Sequence, residues 1–489
     1  MYRWLKRLGI AIGVIVAVVL AIVFFRASGV ESPQQPAQPV EFDVETDAEA
    51  ALDRLSAAIQ LPTISPTDPD ADTVPFIELH ELLEEKFPHF HEVAERQFIN
   101  ELTLHYTLEG TKYGESHVVF LAHMDVVPVE AQTLDDWTHP PFSGVESDGY
   151  IWGRGTLDNK HNMMAQLEAA EAWLERGERP EHTLHFVFGH DEEIGGMQGA
   201  HVVAEQMQED DLDVVTVYDE GLVVTDGIVP GIDAPVALVG ITERGYLTVE
   251  ITASAEGGHS SMPPKELAVT RLADALNTLD EHPMDAVLDG PTRQMFASIS
   301  SEMDFAHRLI FRNLWLFEPL VLSQMTGSPS TNAAVRTTAA PTMLRASERE
   351  NVLPQQAVAT VNFRINPRES IDDVLAYLDD LLEREYISVA PVGEMRSEPS
   401  PIARMEGPGY EALKRAFATT HPGVALGPNM LTGAADARHF TDLTADVYRF
   451  TPVTLDAQDL ERIHGTDERI AVDDYLGLID YYGALFRQW

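Results

Sequence analysis

His123, Asp125, Asp158, Glu192, Glu193, Asp219 and His464 form a set of nitrogen and oxygen donors dispersed along the chain, several of them at the ends of apolar runs. Carboxylates and imidazoles bind divalent cations, and two such ions sharing a water molecule make it a strong nucleophile near neutral pH. The chemistry this points to is hydrolysis. Each residue alone is ordinary. In His123-Met124-Asp125 the two polar side chains flank one apolar residue, which lets Asp125 orient the imidazole. Gly153 to Lys160 places Asp158 where a glycine-rich turn enters a helix, where taken alone it reads as an ordinary N-cap. Asp191-Glu192-Glu193 and Asp219-Glu220-Gly221 pack like charges that repel unless cations or protons intervene.

Side chains so far apart in sequence need a framework that gathers them. Val118 to Ala122, Leu184 to Phe188 and Val214 to Tyr218 are short apolar runs bounded by polar or turn residues, the pattern of buried strands. Between the first two, Met163, Met164, Leu167, Ala170 and Leu174 recur at helical spacing, which predicts a helix over Asn159 to Arg176 with Asp158 as N-cap and Gly177 past its end. Strand, helix, strand implies an α/β fold with a mostly parallel sheet flanked by helices. Strand ends in such a sheet open on one crevice, and His123, Glu192, Glu193 and Asp219 fall there.

Past Gly240 the texture changes. Tyr246 to Ala253 and Ala359 to Ile365 alternate, while Glu266 to Leu279 and Ile371 to Glu383 are amphipathic. This predicts an α+β domain at 242–399 inserted into a catalytic domain formed by 43–241 and 400–489. The stretch from Pro291 to Met325 is unusually apolar.

The first 26 residues run from Arg3, Lys6 and Arg7 through Leu8 to Phe25 and end on Arg26. That apolar run is about the ~18 residues a minimal membrane-spanning helix needs, with its basic side cytoplasmic. A signal peptide is the rival reading, although the run is long and no small-residue cleavage site follows it. Residues 27–42, rich in Pro and Gln, read as a flexible tether. The body is then expected outside the cytoplasm, periplasmic or extracellular, on a single-pass anchor. A net charge of −46 argues against nucleic acid or anionic lipid as partners. With no cysteine, any metal must be held by carboxylates and imidazoles.

The segments AHMDVVPV from Ala122, WGRGTLDNK from Trp152, GHDEEIGG from Gly189, YDEG from Tyr218, GGHSSMPP from Gly257, NVLPQQAVATVNFRI from Asn351, TGAADARHF from Thr432 and HGTDERI from His464 span nearly all of the chain after the tether. Together they resemble the co-catalytic zinc aminoacylases and carboxypeptidases, in particular the carboxypeptidase S-like branch, and are similar to the secreted N-fatty-acyl amino acid synthase/hydrolases. The resemblance implies a zinc-exopeptidase-like fold whose inserted domain is a lid and dimerisation unit. It implies two Zn2+ ions, or Mn2+ or Co2+, bridged by Asp158, with His123 and Asp219 completing one site and Glu193 and His464 the other. Glu192 would be the general base. His259 would stabilise the oxyanion from the inserted domain, often that of a partner subunit in a homodimer, and Asn351 and Arg364 would bind substrate. Gly433, with Asp436 and Arg438, would shape the pocket. Ala434-Ala435 stands where the family often has Gly-Thr, and Lys160 is followed by His161, so fine specificity does not follow from the match.

The implied reaction is cleavage of an amide bond beside a free carboxylate. The substrate is a short peptide, as for a carboxypeptidase or dipeptidase, or an N-acyl amino acid, for whose tail the 291–325 stretch would offer a channel. The competing class is a membrane-anchored scaffold that kept the fold without catalysis. Such decay should show as lost ligands, and all five proposed ligands and the base are present.

Overall fold

The computed structural model describes residues 2–28, 46–68, 70–112, 116–393 and 395–489; most of the expected tether lies outside them. The three apolar runs are the strands His117–His123, Thr183–Gly189 and Val214–Thr225 of an eight-stranded sheet. Its spatial order is 95–99, 103–108, 183–189, 117–123, 214–225, 447–455, 236–243, 425–431. The strands 183–189, 117–123, 214–225 and 447–455 are parallel to one another, so their carboxyl ends open on the same side, while 236–243 and 425–431 are parallel to each other but run the opposite way.

The sheet is held by rings as much as by aliphatic side chains. Phe120 stacks on Phe186 and Tyr218 at 5.5 and 5.3 Å and meets Phe486 edge-on at 4.9 Å. Burying each such ring contributes roughly 1.5–3 kcal/mol. The helix Lys160–Glu175 is buried nearly all round, because it packs against this sheet face and against the helices Ala48–Ile59 and Val472–Phe486. Its N-cap is Asn159 rather than Asp158, which stands one residue ahead and keeps its carboxylate for other partners. Gly177 follows with φ +75°, the left-handed conformation that glycine adopts freely.

A four-stranded antiparallel sheet lies between the two sequence stretches of the large one, in the order 338–345, 356–365, 245–254, 387–391. In Gly245–Ser254 the alternating Leu247, Val249, Ile251 and Ala253 are buried. They pack with Leu272 and Leu279 of the helix Ala268–Glu281 and with Val374 and Leu378 of Ile371–Leu381. The apolar stretch forms the helices Gly290–Ile299, Phe305–Phe311 and Leu314–Met325, whose inner side packs on Val229, Ile232, Val236 and Leu238. At the N-terminus, Arg3–Ser28 is long and apolar enough to cross a membrane, with mean hydropathy 3.2 over an 18-residue window.

Three imidazoles run across neighbouring strands. His105 Nε2 lies 3.0 Å from His185 Nδ1, and His185 Nε2 lies 2.9 Å from His117 Nδ1. Burial pushes His105 down to about 4 from an ordinary value of 6.5. Its folded pKa is depressed, so between about 6.5 and 4 the unfolded chain takes up a proton that the folded chain refuses. The stability this supplies is complete above pH 6.5 and is lost as pH falls toward 4. The slope of unfolding free energy against pH between 6 and 4.5 is therefore expected to be shallower in His105→Gln, by up to about 1.4 kcal/mol per pH unit. Parallel denaturation profiles for the two proteins would contradict this.

Candidate active site

At the carboxyl end of His117–His123, the His123 ring is fixed from behind. Its Nδ1 bonds the Asp125 carbonyl oxygen at 2.9 Å and lies 3.3 Å from Asp125 Oδ1. Asp125 is fully buried. Its carboxylate also accepts the backbone N–H groups of Glu192 and Glu193, each at 3.2 Å, and the Ser65 hydroxyl at 2.7 Å. One side chain thus sets both the imidazole and the acidic loop after the next strand.

His123 Nε2 points at Asp158 Oδ1, 2.9 Å away, and the other oxygen of Asp158 meets His464 Nε2 at 2.9 Å. His464 Nε2 is also 3.1 Å from Glu193 Oε2. On the opposite flank, His123 Nε2 is 3.2 Å from Glu220 Oε1. Two groups of potential ligands result, His123, Asp158 and Glu220, and Asp158, Glu193 and His464, with Asp158 common to both.

Asp219 stands in neither group, and its neighbour Glu220 stands in one. Val214–Thr225 does not stop at Tyr218 but runs on through Asp219 and Glu220, so these neighbours face opposite ways. Asp219 turns from His123, and its carboxylate accepts the backbone N–H groups of Glu220 at 2.8 Å and of Ala437 at 2.7 Å. Glu220 faces His123 and is steadied by a hydrogen bond from the Asn159 side chain. Glu220, and not Asp219, therefore stands beside His123 and Asp158.

The protein alone leaves these charges poorly compensated. Burial pushes Glu220 up to about 8, although His123 opposes it and Asp158 reinforces it. Glu192 is held well above the usual carboxylate range by burial. Against its own burial, Asp158 is held below that range by hydrogen bonds from His123 and His464. Those same contacts work the other way on His464, raised to about 10 by Asp158 and then Glu193. Glu193 Oε1 is buried with no hydrogen-bond partner among the described residues. Crowded acids, an orphaned carboxylate oxygen and two imidazoles turned onto one shared carboxylate are a donor set that suits divalent cations.

The supporting residues were less visible in the sequence. Glu468 is fully buried and pairs with Arg154, and its Oε1 accepts the backbone N–H groups of Gly155, Leu157 and Asp158 at 2.9, 2.8 and 3.2 Å. Arg154 in turn donates to the carbonyls of His464 and Gly465 at 3.0 and 3.1 Å. This pair clamps the Asp158 loop to the His464 loop, where His464 sits at φ +62°, a conformation rare for a residue with a Cβ. Asp436 explains two glycines of the acidic loop. A Cβ on Gly189 would come within 2.6 Å of its Oδ2, and one on Gly196 within 2.1 Å of its Oδ1.

The cleft in front of these groups has a volume of about 560 Å³. Asp158, Glu192, Glu193, Glu220 and His464 line it, together with Arg364, Gly433 and Arg438. Arg438 lies 3.5 Å from Glu192, and the Arg364 guanidinium sits over the Tyr246 ring, 4.7 Å from its centre. Leu157, Val223, Leu431, Val453, Leu460 and Ile463 make an apolar wall. His259 and Asn351 do not line it. They are exposed and adjacent to each other, because Gly258–His259 pairs with Val352–Leu353 and Ser260 N–H donates to the Asn351 carbonyl at 3.2 Å. Nothing from 291–325 lines the cleft either, so the expected tail channel is not formed by that stretch.

A mostly parallel sheet with imidazoles and carboxylates gathered at its strand ends, beside a second antiparallel sheet, is the build of a metal-dependent amidohydrolase. The chain belongs to peptidase family M20/M25/M40, whose model matches residues 119–488. It is 36% identical over 447 residues to the N-fatty-acyl-amino acid synthase/hydrolase PM20D1 of Xenopus tropicalis, covering 91% of this chain and 86% of that protein. It is 35% identical over 451 residues to the probable carboxypeptidase S-like 2 of Dictyostelium discoideum, again covering 91% and 86%. Among solved structures, the M20 family metallo-carboxypeptidase Sso-CP2 of Sulfolobus solfataricus superposes with a TM-score of 0.65 at 18% identity, over 89% of this chain and 98% of that one. Human carnosine dipeptidase 1 gives 0.60 at 17% identity, over 90% and 96%. These two structures carry the likeness of fold.

Proposed function

We propose that this protein hydrolyses an amide bond beside a free carboxylate, with an apolar acyl group on the other side of that bond. The observation that carries the proposal is Asp158, whose two oxygens each meet an imidazole at 2.9 Å in front of Glu192. His123 and Glu220 would hold one divalent cation, Glu193 and His464 a second, and Asp158 both. The resemblance favours zinc, and manganese or cobalt also suits these donors. Such ions, when bound, acidify water and polarise a carbonyl oxygen. Glu192 takes the proton of the attacking water and passes it to the leaving nitrogen. Its neighbour Arg438 keeps it turned into the cleft.

Arg364 suits the substrate's carboxylate as a planar fork held against Tyr246. The apolar wall from Leu157 to Ile463 suits an aliphatic acyl group, in keeping with the name of the Xenopus relative. A paired assay tests both ends. An N-oleoyl amino acid is expected to be cleaved faster than a dipeptide. Amidating its carboxylate should lower kcat/KM about 10- to 100-fold, the worth of a hydrogen bond to a charged group. Arg364→Ala should lose the distinction between acid and amide, and a variant that keeps it would place the carboxylate elsewhere. Equal cleavage of the dipeptide would favour the carboxypeptidase reading.

Residues 242–399 act in this proposal as a lid and dimerisation domain on the catalytic 43–241 and 400–489. His259 and Asn351 stand exposed beside one another and away from their own chain's cleft. That placement suits delivery to the cleft of a partner subunit, His259 donating to the oxyanion and Asn351 to substrate. Mixing Glu192→Gln with His259→Ala subunits is then expected to regain activity that neither has alone, since one site of each mixed dimer is complete. No recovery after subunit exchange would contradict delivery in trans. The Tyr2–Ser28 helix serves as an uncleaved anchor with the body outside the cytoplasm, supported by its length and apolar composition.

A further inference from the structure

The helices Phe305–Phe311 and Leu314–Met325 have no part in the cleft, yet they leave large apolar groups in solvent. Trp315 is 51% exposed, Leu320 56% and Phe305 45%. Against them lies the last turn of the N-terminal helix. Val23 and Ala27 are buried there, and the Phe24 ring is 6.1 Å from that of Phe305. The junction is specific. Asn313, fully buried, donates its amide to the Val23 carbonyl at 3.1 Å and to the Leu309 carbonyl at 2.8 Å, and its own oxygen accepts the Trp315 indole N–H at 3.2 Å.

Residues 23–27 are where the apolar run ends, so whatever packs on them stands at the boundary between hydrocarbon and water. Arg26, Arg308 and Arg312 cluster at that edge. Arg312 is depressed by burial and then by its closeness to Arg26 and Arg308. Arg308 Nε and Arg312 Nε and Nη2 are buried with no hydrogen-bond partner among the described residues, while both residues remain part-exposed. The net charge of −46 repels anionic surfaces from most of the molecule, and this edge is an exception. Tryptophan and arginine beside an apolar face are the side chains that settle at a phospholipid interface.

We propose that this face docks the catalytic body on the outer leaflet of the membrane its N-terminal helix crosses. Phe305, Trp315, Leu316 and Leu320 enter the acyl boundary, and Arg26, Arg308 and Arg312 take headgroup phosphates. The proposal rests on the anchor reading of the N-terminal helix. Its consequence is that the catalytic body is held at the leaflet surface, where a substrate with an acyl tail and a free carboxylate collects.

The test is tryptophan quenching by brominated phosphatidylcholine, with the full chain reconstituted into vesicles. Trp4, in the anchor, and Trp315, on the face, are compared by Trp4→Phe and Trp315→Phe. Each substitution is expected to remove a quenched component from the emission. Arg308→Gln combined with Arg312→Gln should at least halve the Trp315 component without touching that of Trp4, and Leu320→Asp should do the same if Trp315→Phe fails to fold. If Trp4 is not quenched, the anchor reading fails and the docking with it. If Trp4 is quenched and Trp315 is not, the anchor stands and the docking is overturned. Shielding of Trp315 together with a cross-linked dimer through this face would also overturn it, in favour of a second copy as the occupant.

Discussion

Glu192→Gln is expected to lower kcat by roughly 10²- to 10⁴-fold while leaving KM and metal content close to those of the parent protein. The amide fills the same space, keeps the backbone N–H bond to Asp125, and removes only the ability to take up a proton. Burial makes Glu192 more basic than an ordinary carboxylate, which suits a group that must accept a proton from water and release it to a nitrogen. Steady-state kinetics on an N-acyl amino acid, with metal analysis of the same preparation, separates this from loss of structure. Unaltered turnover would remove Glu192 from the reaction and leave the cleft without an evident base.

The second large effect distinguishes neighbours. Glu220→Ala should abolish one ion site and lower activity by more than the roughly 100-fold that supporting partners of metal ligands reach, with metal lost in proportion. Asp219→Asn should cost only about 10- to 100-fold, because Asp219 holds the backbone of Glu220 and Ala437. The two substitutions differ in charge removed by nothing and in position by one residue, so their ranking reads the strand's parity directly. If Asp219→Asn loses the metal and Glu220→Ala retains it, the orientation of this strand in solution is the reverse of the one described.

That pair also shows how far the sequence could be read. Apolar runs bounded by turns are enough to place strands at 117–123 and 183–189, because a parallel sheet buried on both faces demands uninterrupted hydrophobic residues. For the strand 214–225 the acids and glycine of Asp219-Glu220-Gly221 read as an end at Tyr218, yet the strand continues through them to Thr225, and the facing of Asp219 and Glu220 follows only from that continuation. Glu468 lies four residues after His464 in a segment read only for its histidine. Its role in clamping the Asp158 loop depends on a contact across 310 positions that no local pattern encodes. The apolar 291–325 stretch was legible as apolar, but composition does not tell a substrate channel from an outward face. His259 and Asn351 were recognisable by motif, and a single chain leaves them outside its own cleft.

The central claim is that five side chains hold a pair of divalent cations around one shared carboxylate. Element-specific mass spectrometry of the purified full chain, read against protein concentration, tests it most directly. The account predicts two zinc ions per chain in the active protein, one or fewer in His464→Ala, and none retained by Asp158→Ala. A fully active protein carrying a single ion, or an Asp158→Ala protein that still carries two, would contradict it.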